Sequence, residues 1–144
     1  MLMALPARCA ARLIAAHLAG KAINITKTTA PHALSYALTS QHGLPHGMAV
    51  AITLAPLLAF NADLTDEDCT DPRGTGDVRD RIARILNILG TDNVKDAVAS
   101  ITSLLTQIDC PTTWDVAGVS VDDLQTIVES VNVERLSNNP RRAS

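Results

Sequence analysis

Apolar residues in this chain recur with helical spacing, and polar breaks containing glycine or proline separate the apolar segments. Residues 6–22 are dominated by Ala, Leu and Arg, which favour helix formation. Residues 46–61 are apolar on all sides, a pattern typical of a central, buried helix, and Pro56 predicts a kink in it. Both segments are therefore predicted to be helices.

The second half of the chain predicts three amphipathic helices. Gly90 ends the first, Thr91 is placed to cap the second, and Ser120-x-x-Asp123 is a capping-box start for the third. Their apolar faces are formed by three sets of residues: Val78, Ile82, Ile85, Leu86 and Leu89; Val94, Ala97, Ile101, Leu104, Leu105 and Ile108; and Val121, Leu124, Val128 and Val131.

These segments indicate an all-α bundle of five to six helices. Neither strand-like alternation nor an internal repeat interrupts the helical periodicity. Hydrophobic residues make up 47% of the 144 positions and aromatic residues only 2%, a composition that suits closely packed helices better than a sheet. The length suits one domain with its own core, so residues 1–144 are expected to form a single helical domain. The acidic, turn-rich stretch 62–76 is expected to be a solvated linker, although a contact with a cation or a partner stays open.

Charge is unevenly distributed along the chain. The net charge is −3, yet residues 1–62 contain four cations and no acid, whereas all fifteen acids follow. A positive, acid-free half favours an anionic substrate or a cofactor phosphate, and a buried apolar half without acids is an equally good explanation. The negative net charge and the absence of a basic aromatic patch argue against nucleic-acid binding.

Cysteine usage and hydropathy bear on the compartment. Cys9, Cys69 and Cys110 are widely spaced and odd in number, which favours free thiols in a reducing cytoplasm. The apolar run 47–60 is too short to span a bilayer and contains a proline, so no membrane association is expected.

Candidate chemistry is concentrated in residues 30–47, APHALSYALTSQHGLPHG. This stretch contains three of the four histidines, including His32 and His46, and the only tyrosine, Tyr36. The sequence predicts a helix that Thr29 caps and Pro31 begins, a break at 43–45, and a second helix that starts at His46. Tyr36 lies one turn after His32 on the same side of the helix.

His32 and His46 are candidate metal ligands. The helix from His32 to about residue 41 and the extended segment that leads from it to His46 are both on the order of 15 Å long. The two side chains can therefore meet if the 42–45 segment folds back along the helix. Imidazole nitrogens suit zinc, iron or nickel. Histidines fourteen residues apart are also found as helix caps or half-buried polar groups, so the spacing alone leaves both interpretations open.

Lys27 and Thr28 are candidate contacts for an anion. They precede the predicted start of the second helix, where free N–H groups and the helix dipole attract negative charge. A polar loop that ends in a capping threonine is the alternative.

Residues 19–61, AGKAINITKTTAPHALSYALTSQHGLPHGMAVAITLAPLLAFN, resemble the C-terminal helical domain of the iron-containing (group III) alcohol dehydrogenases. In that family a histidine begins a helix, and the histidine of a PHG turn follows fourteen positions later. The sequence of residues 21–36, KAINITKTTAPHALSY, more closely resembles the branch of the family that contains phosphonoacetaldehyde reductases. The resemblance implies that His32 and His46 are ligands of Fe(II) or Zn(II).

The resemblance also implies a function, and the sequence departs from the family in two respects. It implies NAD(P)-dependent interconversion of an alcohol and an aldehyde, with phosphonoacetaldehyde as a candidate substrate, in a cytoplasmic protein that can be a homodimer. The family often has a second histidine at the position of Tyr36, which can instead donate or relay a proton. The family's other two metal ligands and its dinucleotide-binding domain have no counterpart in this sequence, so no residue is assigned to NAD(P). The chain is expected to need that missing domain as a partner.

A different class of function is also compatible with the sequence. The chain can be a non-enzymatic helical module, or a truncated remnant that binds a partner chain. That hypothesis predicts no metal requirement and an exposed apolar surface where the partner docks.

Overall fold

A computed structural model describes residues 7–143, and this part of the chain forms seven α-helices. They are α1 (Ala7–Thr26), α2 (Ala30–His42), α3 (His46–Ala62), α4 (Thr75–Leu89), α5 (Val94–Gln107), α6 (Val121–Ser130) and α7 (Val133–Leu136). Residues 7–143 contain no strand, and a single antiparallel bridge joins Cys69 to Arg141. The prediction of an all-α fold is confirmed, with one short helix, α7, more than expected.

The central helix is α3, which packs against α2 on one side and α5 on another. Two apolar clusters lie along it. The first joins α2 and α3 to the segment around α6, and the second joins α3 to α5. Their buried members are Ala37, Leu38, Leu44, Ala49, Ile52, Val119 and Ile127 in the first, and Ala55, Leu58, Ala97, Ile101, Leu105 and Cys110 in the second. Trp114 packs against the first cluster, as a gap-filling side chain in a connector should.

Several helix boundaries follow the predicted chemistry. Gly43 ends α2 in the left-handed conformation with φ of 68°, which glycine adopts without a steric cost. Its backbone N–H donates to the carbonyl of Leu38. At the start of α6, Ser120 and Asp123 form both hydrogen bonds of the capping box.

Two predicted caps differ in detail from the structure. Thr29 precedes α2, but its hydroxyl makes no capping hydrogen bond, and its carbonyl accepts the N–H groups of His32 and Ala33 instead. The cap of α5 is Asn93, whose side chain accepts the N–H of Asp96, rather than Thr91. Thr91 and Asn93 are both suitable capping residues, and local sequence does not decide between such neighbours.

The extent and burial of two helices also differ from the sequence prediction. Helix α1 continues to Thr26, beyond the predicted end at residue 22, and the Thr26 hydroxyl donates to the Ala22 carbonyl. In α6 the buried residue is Ile127, whereas the predicted core residues Val121 and Val128 are 80% and 61% exposed. Since α6 packs mainly against α2, only one narrow side of it is covered.

The acidic stretch after α3 is attached to the C-terminal segment rather than free. Arg141 bonds to Asp68 (2.7 Å) and to the Phe60 carbonyl (2.8 Å), and its guanidinium lies over the Phe60 ring. The side-chain amides of Asn139 and Asn61 bond to each other. We call these residues, Phe60, Asn61, Asp68, Asn139 and Arg141, the C-terminal clasp.

Helix α1 stands apart from the two clusters. Its side chains from residue 9 onward are exposed apart from the half-buried Ala10, and α1 packs closely against no other described helix. The exposed set includes five large apolar residues: Leu13, Ile14, Leu18, Ile23 and Ile25. Of the helices between residues 7 and 143, none combines the length and apolar character needed to cross a bilayer.

Candidate metal centre

The hairpin of α2 and α3 brings His32 and His46 together. His32 lies in the first turn of α2 and His46 is the first residue of α3. Gly43 reverses the chain, and Leu44 is buried against the hairpin, which returns His46 towards the start of α2. The two ring centroids are 5.6 Å apart at an angle of 60°.

Ser35 connects the two histidines, and sequence reasoning missed it. Its side chain is fully buried, and its hydroxyl donates to the His32 carbonyl at 2.8 Å. The same oxygen lies 3.3 Å from Nδ1 of His46. Because the single hydroxyl proton is already donated, we assign the proton of this contact to Nδ1 of His46. Neutral His46 then has its free lone pair on Nε2, the nitrogen left for a ligand bond.

His32 is held near neutrality by its surroundings. Partial burial lowers the pKa of His32, and the nearby His46 lowers the pKa of His32 further. Both effects disfavour the imidazolium form of His32, because burial and a second imidazole nearby each penalise positive charge on its ring. A neutral imidazole is the form that binds a metal ion.

The donor set fits part of a divalent metal site. Two imidazoles that share one ion with bonds of about 2.1 Å have centroids roughly 5–6 Å apart, close to the separation seen here. Imidazole nitrogen suits both Fe(II) and Zn(II). Within residues 7–143, however, no third His, Cys, Asp or Glu joins the pair to form a group of three.

Tyr36 lies beside the histidine pair. Its ring centroid is 6.1 Å from that of His46, and its side chain is half exposed. Arg135 of α7 lies over the Tyr36 ring, with Cζ 4.2 Å from the centroid. Arg135 was not singled out from the sequence, since 99 positions separate it from Tyr36 and no local pattern links them.

A cavity of about 330 Å³ opens next to Tyr36. It lies between α2 and the α6–α7 segment, and its polar wall is formed by Ser40, Gln41, Ser130, Asn132 and Arg135. None of the residues that line it is acidic.

The predicted anion contacts lie in a different setting. Lys27 is exposed and adopts a left-handed conformation with φ of 62°, and Thr28 is half-buried in the turn between α1 and α2. Neighbouring Thr29 lines another cavity, with Leu58 and Arg73. Neither Lys27 nor Thr28 lines the cavity beside Tyr36.

The two remaining histidines are separate from the pair. His17 is exposed on α1. His42 ends α2 near the start of α6, where its positive charge contributes to lowering the pKa of Asp123, after the larger effects of hydrogen bonds from Ser120.

Comparison with known proteins identifies the family. Residues 5–144 match the model of the Fe-containing alcohol dehydrogenase family, C-terminal. A phosphonoacetaldehyde reductase of Streptomyces viridochromogenes is 38% identical over 128 residues, which cover 89% of this chain and 31% of that protein. No solved structure matches the chain significantly. This chain therefore belongs to the iron-containing alcohol dehydrogenase family, whose C-terminal domain it matches over nearly all of its length.

Proposed function

We propose that this chain is the helical, metal-binding domain of an NAD(P)-dependent, iron-type alcohol dehydrogenase. The observation that carries the proposal is the convergence of His32 and His46, whose rings lie 5.6 Å apart at the junction of α2 and α3. Membership of the family supports the same role.

In this proposal His32 and His46 are two ligands of one Fe(II) or Zn(II) ion. Such an ion supplies Lewis-acid polarisation of the substrate oxygen when it is bound. Ser35 would hold Nδ1 of His46 and leave Nε2 available for the ion, and the partial burial of His32 favours the neutral form of its ring. The remaining ligands, carboxylates among them, are proposed to come from outside the described residues.

Tyr36 is proposed to act on the substrate side of the site. Tyr36 is half exposed and its ring lies next to His46, and its hydroxyl is proposed to donate or relay a proton to the substrate oxygen. Hydride transfer is the chemistry of the nicotinamide, which requires a dinucleotide-binding domain as partner. That domain is proposed to dock on this chain, in a cytoplasmic enzyme that can form homodimers.

The proposed substrate is a small alcohol or aldehyde. The relative from Streptomyces viridochromogenes is named a phosphonoacetaldehyde reductase, so phosphonoacetaldehyde is the specific candidate. The acid-free composition of residues 1–62 is compatible with a substrate that carries negative charge.

A non-enzymatic helical module is the second candidate. The observation that favours it is the exposed apolar surface of α1, where Ile14, Leu18 and Ile25 are 60%, 57% and 79% exposed. Surfaces of this kind commonly bind another protein. In that case the chain acts through a partner and needs no metal.

Calorimetric titration with Zn(II) and with Fe(II) under anaerobic conditions tests the metal site. The native chain should bind one equivalent of metal. His32→Ala and His46→Ala should each weaken the metal affinity at least about ten-fold, because each variant lacks one of the two histidine ligands. His17→Ala, an exposed histidine on α1, is the matched control and should bind like the native chain. Binding that persists unchanged in both His32→Ala and His46→Ala refutes the proposal.

A further inference from the structure

Arg135 has an unusual position for a surface arginine. It comes from the four-residue helix α7, near the end of the chain, yet its guanidinium stacks on Tyr36 of α2 at 4.2 Å. Stacking of this kind holds the planar guanidinium in place and leaves its N–H groups around the edge free to donate. Arg135 is therefore positioned more tightly than an unattached surface side chain.

The charge of Arg135 is not used in an ion pair with the residues that the structure describes. Arg73, Arg81 and Arg141 each pair with an aspartate, whereas Arg135 has no acidic partner within 4.0 Å in that part of the chain. Its positive charge and its donors remain available for a ligand.

The cavity that Arg135 lines has the chemistry of an anion site. Hydroxyl and amide side chains, from Ser40, Gln41, Ser130 and Asn132, complete the polar part of its wall, and it contains no carboxylate. The amide hydrogens of Gln41 and Asn132 can donate to the oxygens of an anion, whereas the hydroxyls of Ser40 and Ser130 already donate to the carbonyls of Ala37 and Ile127. A carboxylate in the wall would repel an anion. At about 330 Å³ the cavity accommodates a small tetrahedral anion.

We propose that Arg135, stacked on Tyr36 and aided by the polar wall of this cavity, binds the anionic end of the substrate, a phosphonate or a related phosphate-type group. The inference rests on the proposed function, because it names the substrate class of that same site. It also assigns the anion subsite to Arg135 rather than to Lys27 and Thr28, which do not line this cavity.

The dimensions are consistent with one small substrate reaching both places. Tyr36 adjoins both the cavity and His46, so Cζ of Arg135 lies within about 10 Å of the His46 ring centroid. A two-carbon aldehyde with a phosphonate at its other end spans about 5 Å at bond lengths near 1.5 Å. Hydrogen bonds to the guanidinium at one end and a ligand bond at the other make up the remaining distance.

Binding of 2-hydroxyethylphosphonate to the metal-free chain tests this subsite, with 1-propanol as a neutral probe of similar length. Tyr36 is the only tyrosine, so its ring resonances in NMR spectra report directly on the cavity. We expect the phosphonate to shift these resonances in a saturable way and 1-propanol to leave them unchanged. Arg135→Gln should weaken phosphonate binding at least about ten-fold, since charged hydrogen bonds are lost.

Three variants make the assignment specific. Arg135→Lys keeps the charge without the planar fork and should give an intermediate affinity. Arg84→Gln, an exposed arginine on α4, and Lys27→Gln should change the affinity by no more than about two-fold. Circular dichroism of each variant shows whether the helices are retained, and Arg135→Lys provides the comparison if Arg135→Gln loses them.

The outcomes separate this inference from the proposed function. Phosphonate binding that is unaffected by Arg135→Gln, or that is lost in Lys27→Gln instead, overturns the subsite. An equal response to 1-propanol overturns its assignment to anions. The metal titration of the His32→Ala and His46→Ala variants judges the metal site independently, because the phosphonate is measured without metal.

Discussion

At the scale of single residues, the tautomer of His46 in the candidate site depends on the single hydroxyl proton of Ser35. With its one hydroxyl proton assigned to the His32 carbonyl, the Ser35 oxygen accepts from Nδ1 of His46. A buried serine thereby sets which nitrogen of a neighbouring histidine is free. The histidines themselves were predictable from sequence, whereas Ser35 was not, although its position three residues after His32 places it in the adjacent turn.

Replacing this serine should weaken metal binding without unfolding the hairpin. In Ser35→Ala, Nδ1 of His46 loses its fixed partner and the ring can rotate or change tautomer. We expect zinc affinity to fall by roughly 10- to 100-fold in calorimetric titrations, the usual effect of losing a hydrogen bond to a metal-binding histidine. Ser40→Ala is the control, because Ser40 makes the same type of bond to a carbonyl three residues back but contacts no histidine. Equal affinities of native protein and Ser35→Ala would contradict this role.

Single acidic residues also determine how the fold responds to acid. Hydrogen bonds from Arg73 lower the pKa of Asp71 to about 2, against an ordinary value of 3.8, and the pKa of Asp68 is lowered by hydrogen bonds from Thr65 and Arg141. Between the lowered and the ordinary pKa of these aspartates, the unfolded chain therefore binds more protons than the folded chain. Stability should be fully present above about pH 4 and should decline as the pH falls towards 2.

Urea unfolding between pH 5 and pH 2 measures this effect. In Asp71→Asn the decline should be shallower, because the variant has lost one group that binds protons on unfolding. Asp92→Asn, a change at an exposed aspartate, should keep the native slope. A native slope in Asp71→Asn would show that Asp71 does not contribute.

At the scale of secondary-structure elements, α1 and α2 differ in what their apolar residues do. Leu38 of α2 is fully buried in the first cluster, whereas Ile25 of α1 is 79% exposed. Both are large apolar residues in helices of similar composition, so hydrophobicity alone does not distinguish them. Packing partners do, and these depend on the rest of the fold.

Alanine substitutions at these two positions should therefore have unequal effects. Leu38→Ala should lower the free energy of unfolding by about 2–5 kcal/mol, because it leaves a cavity. Ile25→Ala should change it by no more than about 0.5 kcal/mol. Urea denaturation of both variants checks this difference. A cost for Ile25→Ala similar to that for Leu38→Ala would mean that α1 is packed after all.

A feature of a helix was predictable from sequence when the residues that determine it lie close together along the chain. Gly43 and the capping box of Ser120 and Asp123 were predicted, since each depends on residues within one or two turns. The buried face of α6 was predicted only in part: Leu124 packs against the first cluster as expected, but Ile127 is covered and Val121 is not. The sequence shows that α6 is amphipathic, but the width of its covered side depends on its contact with α2.

At the scale of the whole molecule, the C-terminal clasp closes the fold. Arg141 joins Asp68 and the Phe60 carbonyl, which lie 73 and 81 positions earlier in the chain. Asn139, 2% exposed, pairs its amide with that of Asn61. Composition predicted a solvated acidic linker here, and contacts over such separations are not visible in local sequence.

Breaking the clasp should destabilise the protein. Arg141→Ala removes two hydrogen bonds and the stacking on Phe60, and we expect it to lower the free energy of unfolding by about 1–3 kcal/mol. Neighbouring Arg142 contributes its backbone N–H to Asp68, which Arg142→Ala retains. Urea unfolding should therefore give a near-native value for Arg142→Ala, and equal losses in the two variants would refute a specific role for the Arg141 side chain.

We propose that His32 and His46 bind one metal ion, with Nε2 of His46 as its ligand atom, and a two-bond ¹H–¹⁵N correlation spectrum of the histidine side chains during a Zn(II) titration tests this most directly. All four histidines are observed in one experiment, so His17 and His42 are internal controls. We predict that His46 carries its proton on Nδ1 before zinc is added, and that zinc shifts Nε2 of His46 together with one ring nitrogen of His32, while the resonances of His17 and His42 stay unchanged. Zinc-induced shifts confined to His17 or His42, or no shifts at all, would contradict the account.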